Sequence, residues 1–297
     1  MPDMKRFKLI ANPASGTKRT RRIASQVVEL LGRKNVAFDL EFTNAPRHAA
    51  EIASRSCKDF DAIVAIGGDG TIHEVAGAML SCEVPLGIIP AGSGNDLIKS
   101  LGIPTNIPAA VDVLLAGRSQ VIDVGTINGL CFVNVVGIGF DAAVNHNSHG
   151  LRWPASGLLR YVIALVKTLG SYAPVPLAVT IDGETSSANL FLLTIGNGTT
   201  CGGGFRLTPH AKLDDGLLDV TRVKPITIPR LIWHLPKVIN GTLDRVELYA
   251  SMRTARKIRV ESASPLPVHV DGEIYRGDTT RLEIEILPKA LTVIGNI

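Results

Sequence analysis

A glycine-rich turn constrains the fold of this chain more than any other stretch. Gly67-Gly68-Asp69-Gly70-Thr71 follows an apolar run, Ala62 to Ile66, and precedes apolar residues that recur at helical spacing. The pattern predicts a strand, a tight turn and a helix. Glycine brings backbone N–H groups close to a ligand, and the helix N-terminus that follows suits phosphate. A purely structural connection between strand and helix is the alternative, because single glycine turns also match by chance.

The first 120 residues alternate between strand and helix patterns. Strands are predicted at Phe7 to Ala11, Val36 to Phe42, Ala62 to Ile66 and Leu86 to Ile89, and helices from about Lys18, from Pro46 to about Cys57, and over Ala109 to Ala116. Such alternation favours βαβ units and a mainly parallel sheet. Turns follow three of these strands, at Asn12 to Gly16, Gly67 to Thr71 and Pro90 to Asp96. Ligands collect at the carboxyl ends of parallel strands, so we expect the three turns to share one crevice.

The rest of the chain is rich in short strand patterns. Asn128-Gly129 and Asp182-Gly183 lie between such runs and predict hairpins. We expect an antiparallel β-sandwich with one inserted helix, roughly Ser156 to Leu169. The predicted domains are residues 1–123, joined by about 290–297, and residues 124–289.

Composition excludes several classes of protein. Apolar residues make up 45% and charged residues 20% of the 297 residues, as in ordinary globular proteins. No window reaches the roughly 18 uncharged apolar residues of a membrane span, and the start carries no secretory signal pattern. The four scattered cysteines fit neither a zinc site nor a disulfide scaffold, which favours a reducing cytoplasm. The net charge of +4 is compatible with anionic ligands or membranes and gives no indication of a nucleic-acid partner.

An ordered set of motifs resembles the diacylglycerol kinase catalytic-domain family of lipid kinases. The set runs from residue 12 to residue 273 and comprises Asn12-Pro13-x-Ser15-Gly16, Gly67 to Thr71, Gly92 to Asp96, Gly137 to Ala142, Asn197 to Thr199, Gly202 to Gly204, Lys212 to Asp219 and Val270 to Glu273. The resemblance, which extends to sphingosine and ceramide kinases, implies an α/β plus all-β protein. It would consist of a Rossmann-like nucleotide domain followed by the β-sandwich, and would transfer a phosphoryl group from ATP to a lipid hydroxyl with Mg²⁺.

The resemblance also implies the nucleotide-binding residues. They are Asn12, Pro13, Ala14, Ser15, Gly16, Thr43, Gly67, Gly68, Asp69, Gly70, Thr71, Ile72, His73 and Ser93. Family members often carry Asn in place of His73 and Lys in place of Thr17. The cations Lys18, Arg19, Arg21 and Arg22 would then meet phosphate, or they form a solvated helix face.

Two acidic residues in the glycine turns have two interpretations. A carboxylate beside phosphate-binding N–H groups would repel the ligand unless a cation intervened, so we interpret Asp69 as linked to Mg²⁺ directly or through water. A helix N-cap is the alternative role for Asp69 and for Asp96.

A late acidic pair, Asp271 and Glu273, is the candidate general base. Neighbouring carboxylates raise each other's proton affinity, which suits a base for a hydroxyl. In the family this pair supplies the base, and we assign it to Glu273 with Asp271 in support. Strand alternation from Val268 predicts that both side chains, with His269, share one face. A hairpin at Asp271-Gly272 with a solvated Glu273 is the alternative.

Two further sites follow from the resemblance or the pattern. Lys212, Asp215 and Leu217 match a family segment that holds a structural Mg²⁺, although a plain turn at Asp215-Gly216 is the alternative. The segment Leu158 to Lys167 is apolar with cations and would either lie at a membrane interface or pack as a core helix.

Three functions remain in competition. The first is a cytoplasmic lipid kinase with peripheral contact to the inner membrane surface, acting on diacylglycerol or a related lipid alcohol across an interdomain cleft. The second is a kinase for a soluble acceptor such as NAD, and the third a non-catalytic nucleotide or lipid sensor. The sequence selects neither the acceptor nor between a monomer and a homodimer.

Overall fold

The computed structural model describes residues 6–14, 18–149 and 157–296, with the side chains of residues 18, 149 and 157–162 excepted. The chain forms two compact units, one comprising Met1–Ile122 with Lys289–Ile297 and the other Asp123–Pro288. Two strands, β5 (Ser119–Ile127) and β16 (Arg281–Ile294), contain the two boundaries.

The first unit is built on a parallel sheet. Its strands are β1 (Arg6–Ala11), β2 (Ala37–Phe42), β3 (Ala62–Gly67) and β4 (Leu86–Pro90), and its helices are α1 (Lys18–Arg33), α2 (His48–Ser56), α3 (Asp69–Ala78), α4 (Leu97–Ser100) and α5 (Ile107–Ala116). The strands pair in parallel in the order β2-β1-β3-β4. All six residues of β3 are buried, as expected for a parallel strand covered on both faces. The predicted α/β class is confirmed.

The last residues of the chain return to this unit. Val293 of β16 pairs in parallel with Leu86 of β4 and extends the sheet by one strand. The run Leu291 to Ile294 is apolar, but its periodicity alone does not indicate which sheet it joins, since pairing depends on the strand beside it.

Two cysteines that are distant in sequence meet in the first unit. Cys57, at the end of α2, is bonded to Cys82, which follows α3. Helices α2 and α3 pack side by side and bring the two thiols together. This bond is not indicated by the sequence, because cysteine spacing carries no information about how the two helices pack.

The second unit contains two antiparallel sheets. Its further strands are β6 (Leu130–Phe132), β7 (Val135–Gly139), β8 (Val175–Ile181), β9 (Glu184–Leu190), β10 (Leu192–Gly196), β11 (Leu218–Val223), β12 (Ala250–Ala255), β13 (Lys257–Glu261), β14 (Val268–Val270) and β15 (Glu273–Ile274). One sheet has the order β12-β11-β10-β7-β14-β15, and the other joins β16, β13, β8 and β9, with the β5–β6 hairpin on β16. A shared core lies between them, with Ile138 and Leu193 from one sheet and Val179, Ile258 and Ile284 from the other. The predicted β-sandwich is confirmed.

Turn chemistry sets the predicted hairpins. Asn128 and Gly129 have φ of 47° and 82°, and Asp182 and Gly183 have φ of 46° and 93°. Positive φ at both central residues matches the right-handed twist of the strands they join. The hairpins β5–β6 and β8–β9 form at these positions, as predicted.

Helices cover the outer face of the six-stranded sheet. They are α6 (Phe140–His149), α7 (Gly157–Leu169), α8 (Ile228–Ile239) and the short 3₁₀ helix Leu243–Arg245. Their apolar residues form a second core with Val135, Phe191 and Leu192. The prediction of one inserted helix is wrong. The Pro residues of α8 conceal its helical pattern, since Pro236 lies inside the helix.

A buried asparagine ties three segments of the second unit together. The Nδ2 of Asn197 donates to the Asp123 carbonyl at 2.9 Å and to the Val133 carbonyl at 3.0 Å, and its backbone N–H donates to Asn134 O at 2.8 Å. Asn197 is fully buried, so no water replaces these bonds.

We expect Asn197→Leu to lower the free energy of unfolding by about 1–3 kcal/mol, because it leaves buried carbonyls without donors. Urea denaturation measures the change. Asn189→Leu on exposed β9 is the matched control and should leave the midpoint almost unchanged. Equal effects of the two substitutions would contradict the role of Asn197.

Candidate functional site

Loops at the carboxyl ends of the parallel strands meet in the first unit. The Asn12 N–H donates to Ile66 O at 3.3 Å, and the Thr43 N–H donates to Ala11 O at 2.9 Å. Asn12 Oδ1 accepts the Ala14 N–H at 2.9 Å and starts a turn. Thr43 is buried beside this turn. Asn12, Pro13, Ala14 and Thr43 therefore lie at the end of the strands where ligands of such sheets bind.

The two glycine loops touch through their backbones. The N–H groups of Ala91 and Gly92 both donate to Gly67 O, at 2.8 and 3.2 Å. A Cβ on Gly92 would overlap the Cα of Gly68, and a Cβ on Gly67 would lie 2.5 Å from Thr71. Only glycine permits such an approach. Gly68 is the N-cap residue of α3, with φ −96° and ψ −173° and no side-chain cap.

Asp69 links the first glycine loop to the second. Its Oδ1 accepts the Asp96 N–H at 2.7 Å. A Cβ on Gly94 would lie 2.7 Å from Asp69 Oδ2 and 3.3 Å from Asp96 Oδ2, so both carboxylates border the Gly94 backbone. Asp69 lies in the first turn of α3 and does not act as its N-cap.

The second loop is held by its own side chains. Asn95, with φ of 49°, accepts the Gly92 N–H at 3.1 Å and donates to Gly92 O at 3.0 Å. The buried carboxylate of Asp96 binds Lys99 Nζ at 2.7 Å and makes no side-chain cap on α4. Ser93 is exposed at the tip of this loop.

The other predicted nucleotide residues have different surroundings. Thr71 and Ile72 are buried, and Ile72 belongs to the core. His73 is half-buried in α3. Arg19, Arg21 and Arg22 lie on the exposed face of α1, and the Arg21 guanidinium lies over the Phe42 ring. Ser15 and Gly16 lie outside the described residues.

In the second unit, Asp271 is fixed by backbone donors. Its Oδ1 accepts the N–H groups of Asn134 and Val135, and its Oδ2 accepts that of Val133, all at 2.9 Å. Asp271 has φ of 49° and Gly272 has φ of 86°, so they form the hairpin turn between β14 and β15. Both carboxylate oxygens are used structurally, which leaves Glu273 as the candidate base.

The predicted common face of His269, Asp271 and Glu273 is not formed. His269 and Asp271 are buried, whereas Glu273 is exposed. The strand ends at Val270, and the tight turn interrupts the alternation that a straight strand would give.

Side chains with no supporting role assigned from the sequence pack around this turn. His269 Nε2 lies 3.1 Å from Asp141 Oδ2, and both side chains are almost fully buried. The Gly272 N–H donates to His269 Nδ1 at 3.4 Å, and Asn145 Nδ2 donates to Gly272 O at 2.9 Å. Both backbone polar groups of Gly272, the residue before Glu273, therefore have side-chain partners. The Gly137 to Ala142 motif contains Asp141, but only its pairing with His269 shows the role.

The predicted structural metal segment is a turn held by Asp123. Asp123 Oδ2 accepts the Gly216 N–H at 2.6 Å, and Asp215 Oδ1 accepts the Leu217 N–H at 3.0 Å. Burial raises the pKa of Asp219 to about 6, with the negative charge of Asp215 contributing in the same direction. Binding of a hard cation by Lys212, Asp215 and Leu217 stays a prediction. Within the described residues, no group of three or more His, Cys, Asp or Glu residues could hold a metal.

None of the helices in residues 6–14, 18–149 and 157–296 has the length and apolar character to cross a bilayer.

Two family models cover most of the chain. Residues 6–127 match the diacylglycerol kinase catalytic domain, and residues 134–295 match the YegS C-terminal NAD kinase beta sandwich-like domain. The chain is 33% identical to a diacylglycerol kinase of Mycobacterium tuberculosis over 96% of this chain and 93% of that protein. It is 29% identical to the diacylglycerol kinase of Bacillus subtilis over 91% and 90%. A solved structure from Bacillus anthracis has a TM-score of 0.81 at 26% identity and covers 100% of this chain and 99% of that one.

We expect Gly92→Ala to lower the free energy of unfolding by about 1–3 kcal/mol, because its Cβ would overlap the Gly68 backbone. Urea denaturation measures the loss. Gly32→Ala in α1 is the control, since a Cβ there meets nothing within 4 Å. It should gain up to about 1 kcal/mol from helix propensity. A neutral Gly92→Ala would show that the two loops do not depend on each other.

Substitutions of Asp271 and Glu273 should change the free energy of unfolding by different amounts. Asp271→Asn directs an amide NH₂ toward backbone donors and should lower the free energy of unfolding by about 1.5–3 kcal/mol. Glu273→Gln, at an exposed position, should leave it within about 0.5 kcal/mol of the parent. Denaturation of both variants in one buffer is the measurement, and the reverse order would contradict the assignment of the two carboxylates.

Proposed function

The chain belongs to the diacylglycerol kinase family, and we propose that it transfers the γ-phosphoryl group of ATP to the hydroxyl of diacylglycerol or a related lipid alcohol. One observation carries the proposal. Two glycine loops at the carboxyl edge of a parallel sheet touch through their backbones and border the carboxylates of Asp69 and Asp96. The family is matched over nearly the whole chain.

The first unit would bind the nucleotide. The backbone of Gly67, Gly68 and Gly70 and the start of α3 offer N–H donors and the positive end of a helix dipole. The turn that Asn12 starts lies next to them along the sheet edge. Phosphoryl transfer depends mainly on positioning and on charge neutralisation at the phosphates, which such loops provide.

Asp69 and Asp96 fit a role beside Mg²⁺. Two carboxylates that border one glycine would repel phosphate, and the Asp96 carboxylate also forms an ion pair with Lys99. Carboxylate oxygens are the ligands that Mg²⁺ prefers, often with intervening waters. Bound Mg²⁺ would supply charge neutralisation, and this chain would hold it through Asp69 with the help of Asp96.

Glu273 would accept the proton of the acceptor hydroxyl. Glu273 is exposed, while the backbone N–H and C=O of the preceding residue, Gly272, are bound by His269 and Asn145. A base needs both access and a fixed position. Asp271 would act as a positioning residue, because its oxygens bind the backbone of residues 133–135.

A second candidate is a kinase for a soluble acceptor such as NAD. The specific observation in its favour is the match of residues 134–295 to an NAD kinase beta sandwich-like domain. A non-catalytic nucleotide or lipid sensor is the third candidate. Binding alone does not require an exposed carboxylate beside a fixed turn, so Glu273 counts against a sensor.

The test is transfer of labelled phosphate from ATP to diacylglycerol, a sphingoid base, a polyprenol or NAD, with each product identified by mass. We expect a lipid product, and we expect Glu273→Gln to lower kcat by about 10²–10⁴-fold because the proton acceptor is lost. Binding of ATP, measured by calorimetry, should be unchanged in this variant.

Glu261→Gln on β13 is the matched control, since Glu261 is also an exposed acid of the second unit. It should retain full turnover. A product from NAD alone would favour the second candidate, ATP binding without any product would favour a sensor, and full activity of Glu273→Gln would remove Glu273 as the base.

A further inference from the structure

Helix α8 exposes large apolar side chains to solvent. Trp233 is 78% exposed and Ile232 is 58% exposed, and Ile228 and Ile239 are also exposed. Pro229 and Pro236 lie on the same outer side of the helix. Leu248, just after the short 3₁₀ helix that packs on α8, is 71% exposed. Soluble proteins rarely present such contiguous apolar groups without a partner.

The opposite side of α8 already has its packing partner. Val238 is buried, and Leu231 and Leu235 are packed against the second core of the unit. The helix therefore does not need its outer side for folding. An amphipathic surface helix would carry polar residues there, whereas α8 is apolar on both sides.

Cations flank the exposed apolar side. Arg230 and Lys237 belong to α8, and the helix contains no Asp or Glu. The Arg230 guanidinium lies 5.7 Å from the centre of the Tyr249 ring, so its charge is held near the helix. The segment from Lys224 to Leu248 has four Lys or Arg residues against Asp244 and Glu247. Its net charge is thus positive.

We propose that this α8 surface, defined by Ile228, Ile232, Trp233, Ile239 and Leu248 with Arg230 and Lys237, docks on an anionic lipid bilayer. Trp favours the boundary between headgroups and acyl chains, isoleucine side chains favour the acyl region, and cations favour anionic headgroups. The inference deepens the proposed function by naming the surface that meets the lipid phase, and in that respect it rests on the proposed function.

Charge favours a bilayer over a second copy of the chain. A two-fold contact through the α8 surface would bring Arg230 and Lys237 toward their own counterparts, with no acid in the helix to pair with them. A bilayer with anionic lipids satisfies both the apolar and the cationic part of the surface.

The described side chains of helix α7 fit this role less well. The segment Leu158 to Lys167 has two interpretations from the sequence, a membrane interface or a core helix. Among the α7 residues whose side chains are described, Val166 is a single exposed large apolar residue, and Ala164 and Leu165 are buried. One exposed apolar side chain is ordinary for a soluble protein.

The experiment is co-sedimentation of the full chain with vesicles, without ATP. Vesicles of phosphatidylcholine with phosphatidylglycerol are compared with vesicles of phosphatidylcholine alone, at low and high salt. We expect binding to the anionic vesicles that weakens with salt. Ile232→Asp should lower the partition coefficient by about tenfold or more, since one buried apolar contact is lost and a like charge is added.

Two controls accompany this variant. Leu130→Asp changes an exposed apolar residue of β6 and should bind like the parent. The chain has two tryptophans, so Trp153→Phe leaves Trp233 as the single reporter. Its fluorescence should shift to the blue on anionic vesicles and be quenched by lipids brominated in the acyl chain.

The outcomes separate this inference from the kinase assignment. Vesicle binding that depends on Ile232, without phosphorylation of any lipid, supports the α8 surface and counts against the lipid kinase. Unchanged binding by Ile232→Asp overturns the inference, as does loss of binding in Val166→Asp alone. A dimer that Ile232→Asp dissociates, with no vesicle binding by the parent, also overturns it. Turnover of a short-chain acceptor dissolved as monomers should be equal in the parent and Ile232→Asp.

Discussion

The backbone contact between Gly68 and Gly92 is the constraint on which the first unit's functional edge depends. Two loops that follow neighbouring parallel strands share the Gly67 carbonyl as acceptor and leave no room for a Cβ at Gly92. A hydrogen bond from the Asp96 N–H to the Asp69 carboxylate joins the same two loops. Because the loops are locked to each other, backbone donors and carboxylates lie together, which is the arrangement that the proposed phosphoryl transfer would use.

The carboxylates of the second unit differ in burial and in hydrogen bonding. Asp271, buried and bound by three N–H groups, fixes the loop of residues 133–135, and Asp123 fixes the turn at Gly216. Glu273 lies one residue beyond the Asp271-Gly272 turn and is exposed. Residues two apart in sequence thus have different chemistry, because a positive-φ turn places one in the interior and the other in solvent.

Only part of the apolar surface of helix α8 is used in folding. Its inner side completes a core, and its outer side carries Ile232, Trp233 and two prolines in solvent. A single apolar face at helical spacing is what predicts a helix. Because α8 is apolar on both sides and contains Pro236, its sequence does not show this pattern. The structure distinguishes the apolar side chains of α8 that pack against the core from those that are exposed. The exposed ones are the basis of the proposed contact with a bilayer.

The sequence alone determined the α/β and β-sandwich classes, the hairpins at Asn128-Gly129 and Asp182-Gly183, and the family, because these depend on local spacing, turn chemistry and ordered motifs. It did not determine the Cys57–Cys82 bond, the pairing of Val293 with Leu86, or the Asp141–His269 pair beside Gly272. It also did not decide between a shared face for Asp271 and Glu273 and a hairpin with a solvated Glu273, whereas the folded chain forms the hairpin, buries Asp271 and exposes Glu273. Each of these features joins residues distant in sequence or depends on burial, and only packing of the whole chain sets such contacts.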